Sequence, residues 1–159
     1  MKIAVIFYSM SNNTRLVAER IAEKTGADLI EIIPNKHYPE KGMKKFIVGG
    51  FCAMMGEKPK LKDYEFCADK YDTVIIGSPV WASCFAPPIR AFLSRHRKDL
   101  SEKNAAAYFC SSGGDAQGAT EKLREFIGAD KLMATMSLVD PAINGLDEKE
   151  IDNFCSKIL

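Results

Sequence analysis

Hydrophobic and polar positions alternate along this chain in two distinct patterns. Short, nearly continuous apolar runs indicate strands that are buried on both faces of a parallel sheet. The predicted strands are Lys2–Tyr8, Asp28–Ile33, Thr73–Ser78, Asn104–Ser111 and Leu132–Val139. Between these runs, apolar residues recur with the spacing of amphipathic helices. The predicted helices are Thr14–Lys24, Pro88–His96, Ala119–Ile127 and Glu148–Ile158.

Strands that alternate with helices predict an α/β fold. Helices on both faces of a parallel sheet, joined by right-handed crossovers, form the doubly wound class. The five predicted strands fit a doubly wound parallel sheet of order 2-1-3-4-5. The chain has 159 residues, which is the length of one domain, so we expect a single domain over residues 1–159.

Residues 35–70 do not follow this simple alternation. Large apolar side chains recur there at a spacing that predicts one face of a helix, despite the helix-breaking pair Gly49 and Gly50. The residues of this face are Phe46, Ile47, Phe51, Met54 and Met55. We expect the face to cover one side of the sheet. A dimer contact and a lid over a ligand are the alternatives.

The overall charge excludes some classes of partner. The chain is 47% hydrophobic and 27% charged, with a net charge of +1, which gives no reason to expect nucleic acid or an anionic membrane as a partner. The N-terminal run is interpreted as a strand and not a signal peptide, so a cytoplasmic location is expected. The basic run Arg95–Lys98 lies near a predicted helix end, where positive charge interacts favourably with the helix dipole. A docking or nucleotide-phosphate site is the alternative.

Cysteine and histidine usage argues against a metal site. The five cysteines are scattered without a CxxC pair, and the chain has only two histidines. This pattern is typical neither of a zinc site nor of a disulfide framework. Free, reduced thiols are therefore expected.

The loop after the first strand, "SMSNNT" at Ser9–Thr14, is unusually polar. In a sheet of this order, ligands bind at the carboxyl ends of the strands where the strand order reverses, which brings together the loops after strands one, three and four. Unpaired N–H groups at the start of the following helix, the helix dipole and the loop hydroxyls favour a phosphate. The alternative is a plain N-cap from Asn12 or Asn13.

The other two loops at that edge suit a flat ring system. "GSPVWASCFAPP" carries the only tryptophan, Trp81, whose face is suited to stacking on a planar heterocycle; packing in the core is the alternative. In "CSSGGDAQG", adjacent glycines allow the backbone to approach a ligand closely. The three loops together predict a ligand with a phosphate at one end and a heterocycle at the other.

These three loops resemble those of the flavodoxin family. "SMSNNT" resembles the family's phosphate loop at Ser9, Ser11 and Thr14. Asn12 stands in the position of the family's glycine, and asparagine tolerates unusual backbone angles better than most residues. "GSPVWASCFAPPIRAFL" and "SSGGDAQG" resemble the second and third flavin loops, and the resemblance covers essentially the whole chain in order and length. It implies a flavodoxin-like fold with noncovalently bound FMN, which carries the redox chemistry.

The resemblance also assigns the residues of a flavin site. It implies that the first loop holds the phosphate, that Trp81 covers one face of the ring, that the backbone of Pro79–Ser83 lines the N5 side and that Ser112–Asp115 approach the pyrimidine edge. The implied cofactor-binding residues are Ser9, Ser11, Asn12, Asn13, Thr14, Pro79, Val80, Trp81, Ala82, Ser83, Ser112, Gly113, Gly114 and Asp115. It implies neither a catalytic side chain nor a metal ligand.

Two departures from the family bear on function. The net charge of +1 differs from the strongly acidic flavodoxins that shuttle single electrons, so steering towards basic partners would be weak. No glycine lies between Ser78 and Pro88. Ala82 and Ser83 stand where a glycine peptide beside flavin N5 flips to stabilise the one-electron-reduced flavin, and that flip costs more without glycine.

Three functions stay open at this point. We expect an electron-transfer protein that exchanges single electrons between FMN and a redox partner protein. The alternative is an NAD(P)H-dependent FMN reductase or quinone oxidoreductase that acts as a homodimer. A flavin-free binding module on the same fold is the third. Cys84 and Cys110 are expected at the flavin edge, either as small apolar filler or as redox-active thiols.

Overall fold

A computed structural model of the chain has an α/β architecture. The structure describes residues 1–113 and 116–159. Over these residues the strands are β1 (Ile3–Phe7), β2 (Asp28–Glu31), β3 (Thr73–Trp81), β4 (Cys84–Phe85), β5 (Asn104–Ser111) and β6 (Leu132–Val139). The helices are α1 (Asn13–Thr25), α2 (Met43–Met54), α3 (Pro87–Arg95), α4 (Arg97–Leu100), α5 (Gln117–Ile127), α6 (Pro141–Asn144) and α7 (Glu148–Ser156). None of the helices described is long and apolar enough to cross a bilayer.

The sheet has the predicted doubly wound order. Its path is β2-β1-β3-β5-β6, and the neighbours on this path pair in parallel. This is the order 2-1-3-4-5 when β4 is left out of the numbering. β4 is an arm that turns back antiparallel to the end of β3, with Trp81 opposite Cys84. The prediction that the third strand ends at Ser78 was therefore wrong, because β3 continues through Pro79 to Trp81.

Two apolar clusters cover the two faces of the sheet. Ile3, Val5 and Phe7 of β1 belong to the cluster that packs against α1 and α7. Ala4 and Ile6 belong to the other cluster, which packs against α2, α3 and α5. Alternate residues of one strand point to opposite faces, so β1 is buried on both sides. This double burial explains why the strands appear in the sequence as continuous apolar runs.

A fully buried tyrosine joins the sheet to the start of α1. The hydroxyl of Tyr108 donates a hydrogen bond to the carbonyl of Thr14 at 2.9 Å. Tyr108 lies beside Gly77 of the neighbouring strand, and a Cβ atom at Gly77 would come within 2.2 Å of the tyrosine hydroxyl. Because position 77 has no side chain, the tyrosine ring can pass over β3 and reach α1.

The helix predicted within residues 35–70 exists, but its orientation was predicted wrongly. Phe46, Ile47, Phe51, Met54 and Met55 are between 62% and 70% exposed and do not cover the sheet. The buried residues of α2 are Gly49, Gly50, Cys52 and Ala53. Small residues allow a helix to approach its neighbours closely, so α2 packs through its glycine-containing face and leaves its large side chains in solvent.

We expect Gly77→Ala to lower the free energy of unfolding by about 3 kcal/mol, because an added methyl group overpacks the site beside Tyr108. Urea denaturation followed by circular dichroism measures this change. Gly50→Ala is the matched control, since a Cβ atom there would lie 3.4 Å from its nearest neighbour, the Cβ of Ala82. An equal loss of stability in both variants would contradict this account of Gly77.

Candidate functional site

The three polar loops meet at one cleft at the carboxyl edge of the sheet. The cleft has a volume of about 590 Å³, with its open mouth included. The predicted residues that line it are Ser11, Asn13, Thr14, Pro79, Val80, Trp81, Ala82 and Ser112. Ser9, Asn12, Ser83 and Gly113 lie outside its lining, and Gly114 and Asp115 lie outside the described residues. Residues from all three loops therefore lie together at the carboxyl ends of the strands, where the sheet order predicted a ligand site.

Several lining residues were missed by the sequence analysis. Cys110, which was expected at this edge, and Ser111 of the third loop also line the cleft. The residues that were missed are Met10, Lys45, Phe46 and Gly50. Three of these come from α2, which forms one side of the cleft. Lys45 supplies a cation that the first loop itself lacks. The incorrect orientation predicted for α2 hid this contribution, although a lid over a ligand was one of the alternatives for this segment.

The first loop presents backbone donors to the cleft. Asn12 has a left-handed backbone with φ +70° at the start of α1, and its side chain makes no capping hydrogen bond. Ser9 instead accepts a hydrogen bond from the N–H of Arg15 at 3.2 Å. In the described part of the chain, no acceptor pairs with the backbone N–H groups of residues 11–14. A cap from Asn12 or Asn13 was therefore the wrong alternative, and the positive end of α1 faces the cleft.

An aspartate that the sequence analysis missed braces the first loop against the third. The Asn13 amide donates to Asp140 Oδ1 at 3.1 Å, and the Ser112 hydroxyl donates to the same oxygen at 3.2 Å. The Asn13 side-chain oxygen accepts from the N–H of Ala142 at 2.8 Å. The side chain of Asn13 is thus already engaged, which leaves its backbone N–H for a ligand. Asp140 directly follows β6 at the same sheet edge, and this position in the sequence was the signal from which its role could have been predicted.

Trp81 forms a nearly buried wall of the cleft. Only 8% of it is exposed. The rings of Tyr8 and Tyr38 contact it edge to face, with centroid distances of 5.7 and 5.1 Å. On α2, a Cβ atom at Gly49 would lie 3.3 Å from the indole ring. Trp81 therefore packs in the core, as one alternative expected, and it also lines the cleft. Its stacking on a planar ring stays a prediction.

The turn between β3 and β4 is conformationally strained. Ala82 and Ser83 both have left-handed backbones, with φ +49° and +57°. Two such residues in a two-residue hairpin form a type I′ turn, which normally uses Asn-Gly or Gly-Gly. Gly118 of α5 makes room for this turn, because a Cβ atom there would lie 3.0 Å from the Ser83 Cβ. The packing of the hairpin against α5 holds a conformation that its own residues disfavour.

The two cysteines predicted at the flavin edge lie in different places. Cys110 lines the cleft. Burial raises the pKa of its thiol to about 12, although a hydrogen bond with the Thr14 side chain lowers that pKa. Cys84 does not line the cleft, so its predicted position was wrong. It is 2% exposed, and its Sγ accepts a hydrogen bond from Lys122 Nζ at 2.8 Å. The short β4 arm carries Cys84 away from the cleft and towards α5.

Comparisons with known proteins agree with this architecture. The family model described as Flavodoxin matches residues 2–136. No curated protein matches the chain. Among solved structures, a flavoprotein from Lactobacillus acidophilus NCFM in complex with FMN superposes with a TM-score of 0.76 at 21% identity, over 96% of this chain and 97% of that one.

Two further structures extend the comparison. A protein from Bacteroides eggerthii DSM 20697, named as a flavoprotein, has a TM-score of 0.75 at 24% identity, over 98% of this chain and 96% of that one. The two-electron reduced flavodoxin of Megasphaera elsdenii has a TM-score of 0.57 at 12% identity, over 99% of each chain. At these identities the likeness shows the fold alone, and it confirms the predicted flavodoxin-like sheet.

We expect Ala82→Gly to raise the free energy of unfolding by about 1 kcal/mol, because glycine adopts a left-handed backbone without steric cost. Urea denaturation tests this. Ala142→Gly is the matched control, since Ala142 lies exposed in α6 and has no left-handed backbone. There glycine should destabilise the protein. An Ala82→Gly variant that is no more stable than the parent would contradict the strain.

We expect stability to fall at alkaline pH through Cys110. Burial raises the pKa of this thiol from 9.0 to about 12, so the unfolded chain loses the proton first. The stabilisation is complete below the lower value and disappears as pH rises through the higher one. Urea denaturation across this range should give a shallower decline for Cys110→Ala than for the parent. Cys67→Ala, at the exposed cysteine, should leave the decline unchanged; equal slopes for all three proteins would contradict the assignment.

Proposed function

The chain belongs to the flavodoxin family, and we propose on that premise that it binds FMN in this cleft and exchanges electrons with a protein partner. The proposal rests on one observation: a single cleft is lined by the first loop, whose backbone N–H groups are unpaired in the described part of the chain, and by the aromatic ring of Trp81. FMN has a phosphate and a flat ring system that match these two features. When bound, it supplies one- and two-electron redox chemistry.

The first loop fits the phosphate of FMN. Ser11, Asn13 and Thr14 line the cleft at the positive end of α1, and no acceptor in the described part of the chain pairs with their backbone N–H groups. Ser11 and Thr14, which carry hydroxyl groups, and Lys45, which carries an ammonium group, belong to the same lining. The carboxylate of Asp140 contacts this loop, where it accepts hydrogen bonds from Asn13 and Ser112. The donor set is therefore mainly neutral, with one cation from α2.

The second and third loops fit the ring of the flavin. Pro79–Ala82 form a continuous part of the lining, with Trp81 as its aromatic element. Phe46 of α2 adds a second aromatic side chain, and Ser112 lines the cleft from the third loop. Ser9 and Asn12 lie outside this lining, and the Ser9 hydroxyl accepts a hydrogen bond from the N–H of Arg15. The protein's task is to bind, orient and shield the flavin, so no acidic or basic side chain is required as a catalyst.

An NAD(P)H-dependent oxidoreductase is the second candidate, and the strained turn favours it. Flipping the peptide after Ala82 would convert the type I′ turn into type II′. Ala82 would then enter a backbone region that is essentially restricted to glycine. The flip that helps other family members to hold a single electron is thus disfavoured here, which favours transfer of two electrons together. In either role we propose a cytoplasmic protein.

Fluorescence of Trp81 provides a test of FMN binding at the cleft. Trp81 is the only tryptophan, so bound FMN should quench nearly all tryptophan emission. Ser11→Ala should weaken FMN binding about tenfold, because a hydrogen bond to a charged phosphate is lost. Riboflavin, which has no phosphate, should bind both proteins equally. Ser137→Ala, at an exposed serine of β6, is the control. Unquenched fluorescence with saturating FMN would overturn the proposal.

Anaerobic reduction of the FMN-loaded protein separates the two candidate functions. Two well-separated one-electron potentials would support single-electron exchange with a protein partner. A single two-electron step, with rapid bleaching of the flavin by NADPH alone, would support the reductase. Ala82→Gly should separate the two potentials further than in the parent, because glycine permits the peptide flip.

A further inference from the structure

We propose that the exposed face of α2 and a cationic recess beside it form a docking surface for an acidic redox protein. This inference rests on the proposed function and names the kind of partner that would exchange electrons with the flavin. The α2 face consists of Met43, Phe46, Ile47, Phe51, Met54 and Met55. The cationic recess is lined by Arg90, Arg97 and Lys122, with Glu125 as the carboxylate among its described lining residues.

The α2 face is too apolar to be an ordinary protein surface. Each of its six side chains is between 62% and 77% exposed. They lie on one helix, so together they present a patch on the order of several hundred Å², a size that marks interaction sites in soluble proteins. Three of the six are methionines, whose flexible side chains adapt to different partner surfaces. An encounter between redox proteins buries less than about 1,200 Å² in total, a scale that this face suits.

The α2 face is continuous with both the cleft and the recess. Phe46, near its N-terminal end, lines the cleft that we assign to FMN. Met54 and Met55, at its other end, line the cationic recess. A protein seated on α2 therefore lies at the mouth of the cleft. This arrangement brings a partner's redox centre close to the flavin without requiring an opening in the fold.

The recess carries fixed positive charge. The Arg90 guanidinium lies 4.7 Å from the centre of the Phe85 ring, and Arg97 lies 5.3 Å from that of Phe126. Over residues 1–113 and 116–159, no carboxylate forms a salt bridge with Arg90, Arg97 or Lys122. The Nε of Arg90 is buried without a hydrogen-bond partner in the same part of the chain. These groups suit carboxylate side chains that protrude from a partner.

Charge favours an acidic partner over a second copy of the chain. A two-fold dimer brings the same patch of each subunit together. The cations that border the α2 face, including Lys44 beside Met43, would then meet like charges. The recess is also concave and its guanidinium groups lie against aromatic rings, which suits individual carboxylates better than a flat layer of lipid headgroups.

Two forms of cytochrome c with opposite surface charge test the proposal. Cytochrome c with succinylated lysines is the acidic probe, and unmodified cytochrome c is the basic one. Stopped-flow spectroscopy measures the electron transfer, in which each reduced flavin gives two electrons to two ferric haems. We expect the acidic form to react about tenfold faster at low salt and to lose this advantage as salt is added. Amide NMR of the protein with each cytochrome reports docking independently of electron transfer.

Matched variants localise the effect. Arg97→Glu should slow the reaction with the acidic probe about fivefold, and Phe51→Ser should slow it about threefold. Lys149→Glu, at an exposed position of α7, makes the same change of charge on a different helix, and Met133→Ser removes an exposed methionine from β6. Neither control should change the rate. FMN retention and circular dichroism of every variant establish that the cleft and fold are intact.

The outcomes separate this inference from the proposed function. Salt-sensitive shifts on α2 and the recess, caused by the acidic probe, would support docking even in protein that retains no FMN. Retained FMN that reduces both cytochromes equally, without shifts on α2, would overturn docking and leave the electron-transfer function standing. A dimer that Phe51→Ser dissociates in sedimentation equilibrium would overturn the acidic partner. Binding to phosphatidylserine vesicles that Phe51→Ser abolishes would also overturn it.

Discussion

The hydrogen bond from the Tyr108 hydroxyl to the Thr14 carbonyl is the constraint on which the site depends. Tyr108 is fully buried, so its hydroxyl must find a partner inside the protein, and an unsatisfied one costs about 1–3 kcal/mol. The bond holds the first turn of α1 in one position relative to β5. Because the N–H groups of residues 11–14 belong to that turn and the loop before it, their direction follows from this interaction. Gly77 makes the arrangement sterically possible.

The cleft is organised by contacts within the protein. Asp140 binds the side chains of Asn13 and Ser112 and so joins two of the three loops. The second loop is held by the aromatic contacts of Trp81 and by the packing of the hairpin turn against Gly118. A site built in this way is preorganised, so little binding energy is spent on ordering loops when a ligand enters. Its cost is the strain held at Ala82 and Ser83.

Sequence reasoning succeeded where burial dictates the pattern and failed where small residues make the contacts. The strands and their order could be predicted because double burial leaves continuous apolar runs, and the edge rule then located the loops. The buried face of α2 could not be predicted, because hydrophobic periodicity assigns large apolar residues such as Phe46 and Phe51 to the buried side and not Gly49 and Gly50. The β4 arm was missed because Ala82 and Ser83 lack the usual turn signal. Asp140 was missed because its partners lie far away in the sequence.

The composition of α2 has a consequence for the motions of the protein. Two adjacent glycines lower its intrinsic helix stability by about 1 kcal/mol each. Its buried side is made of small residues, so it gains less from hydrophobic burial than α1 and α3 do. Segments with few buried apolar contacts open locally at a lower free energy than the core. Amide hydrogens of α2 should therefore exchange with solvent faster than those of the sheet, and the wall of the cleft can open while the strands beneath it stay closed.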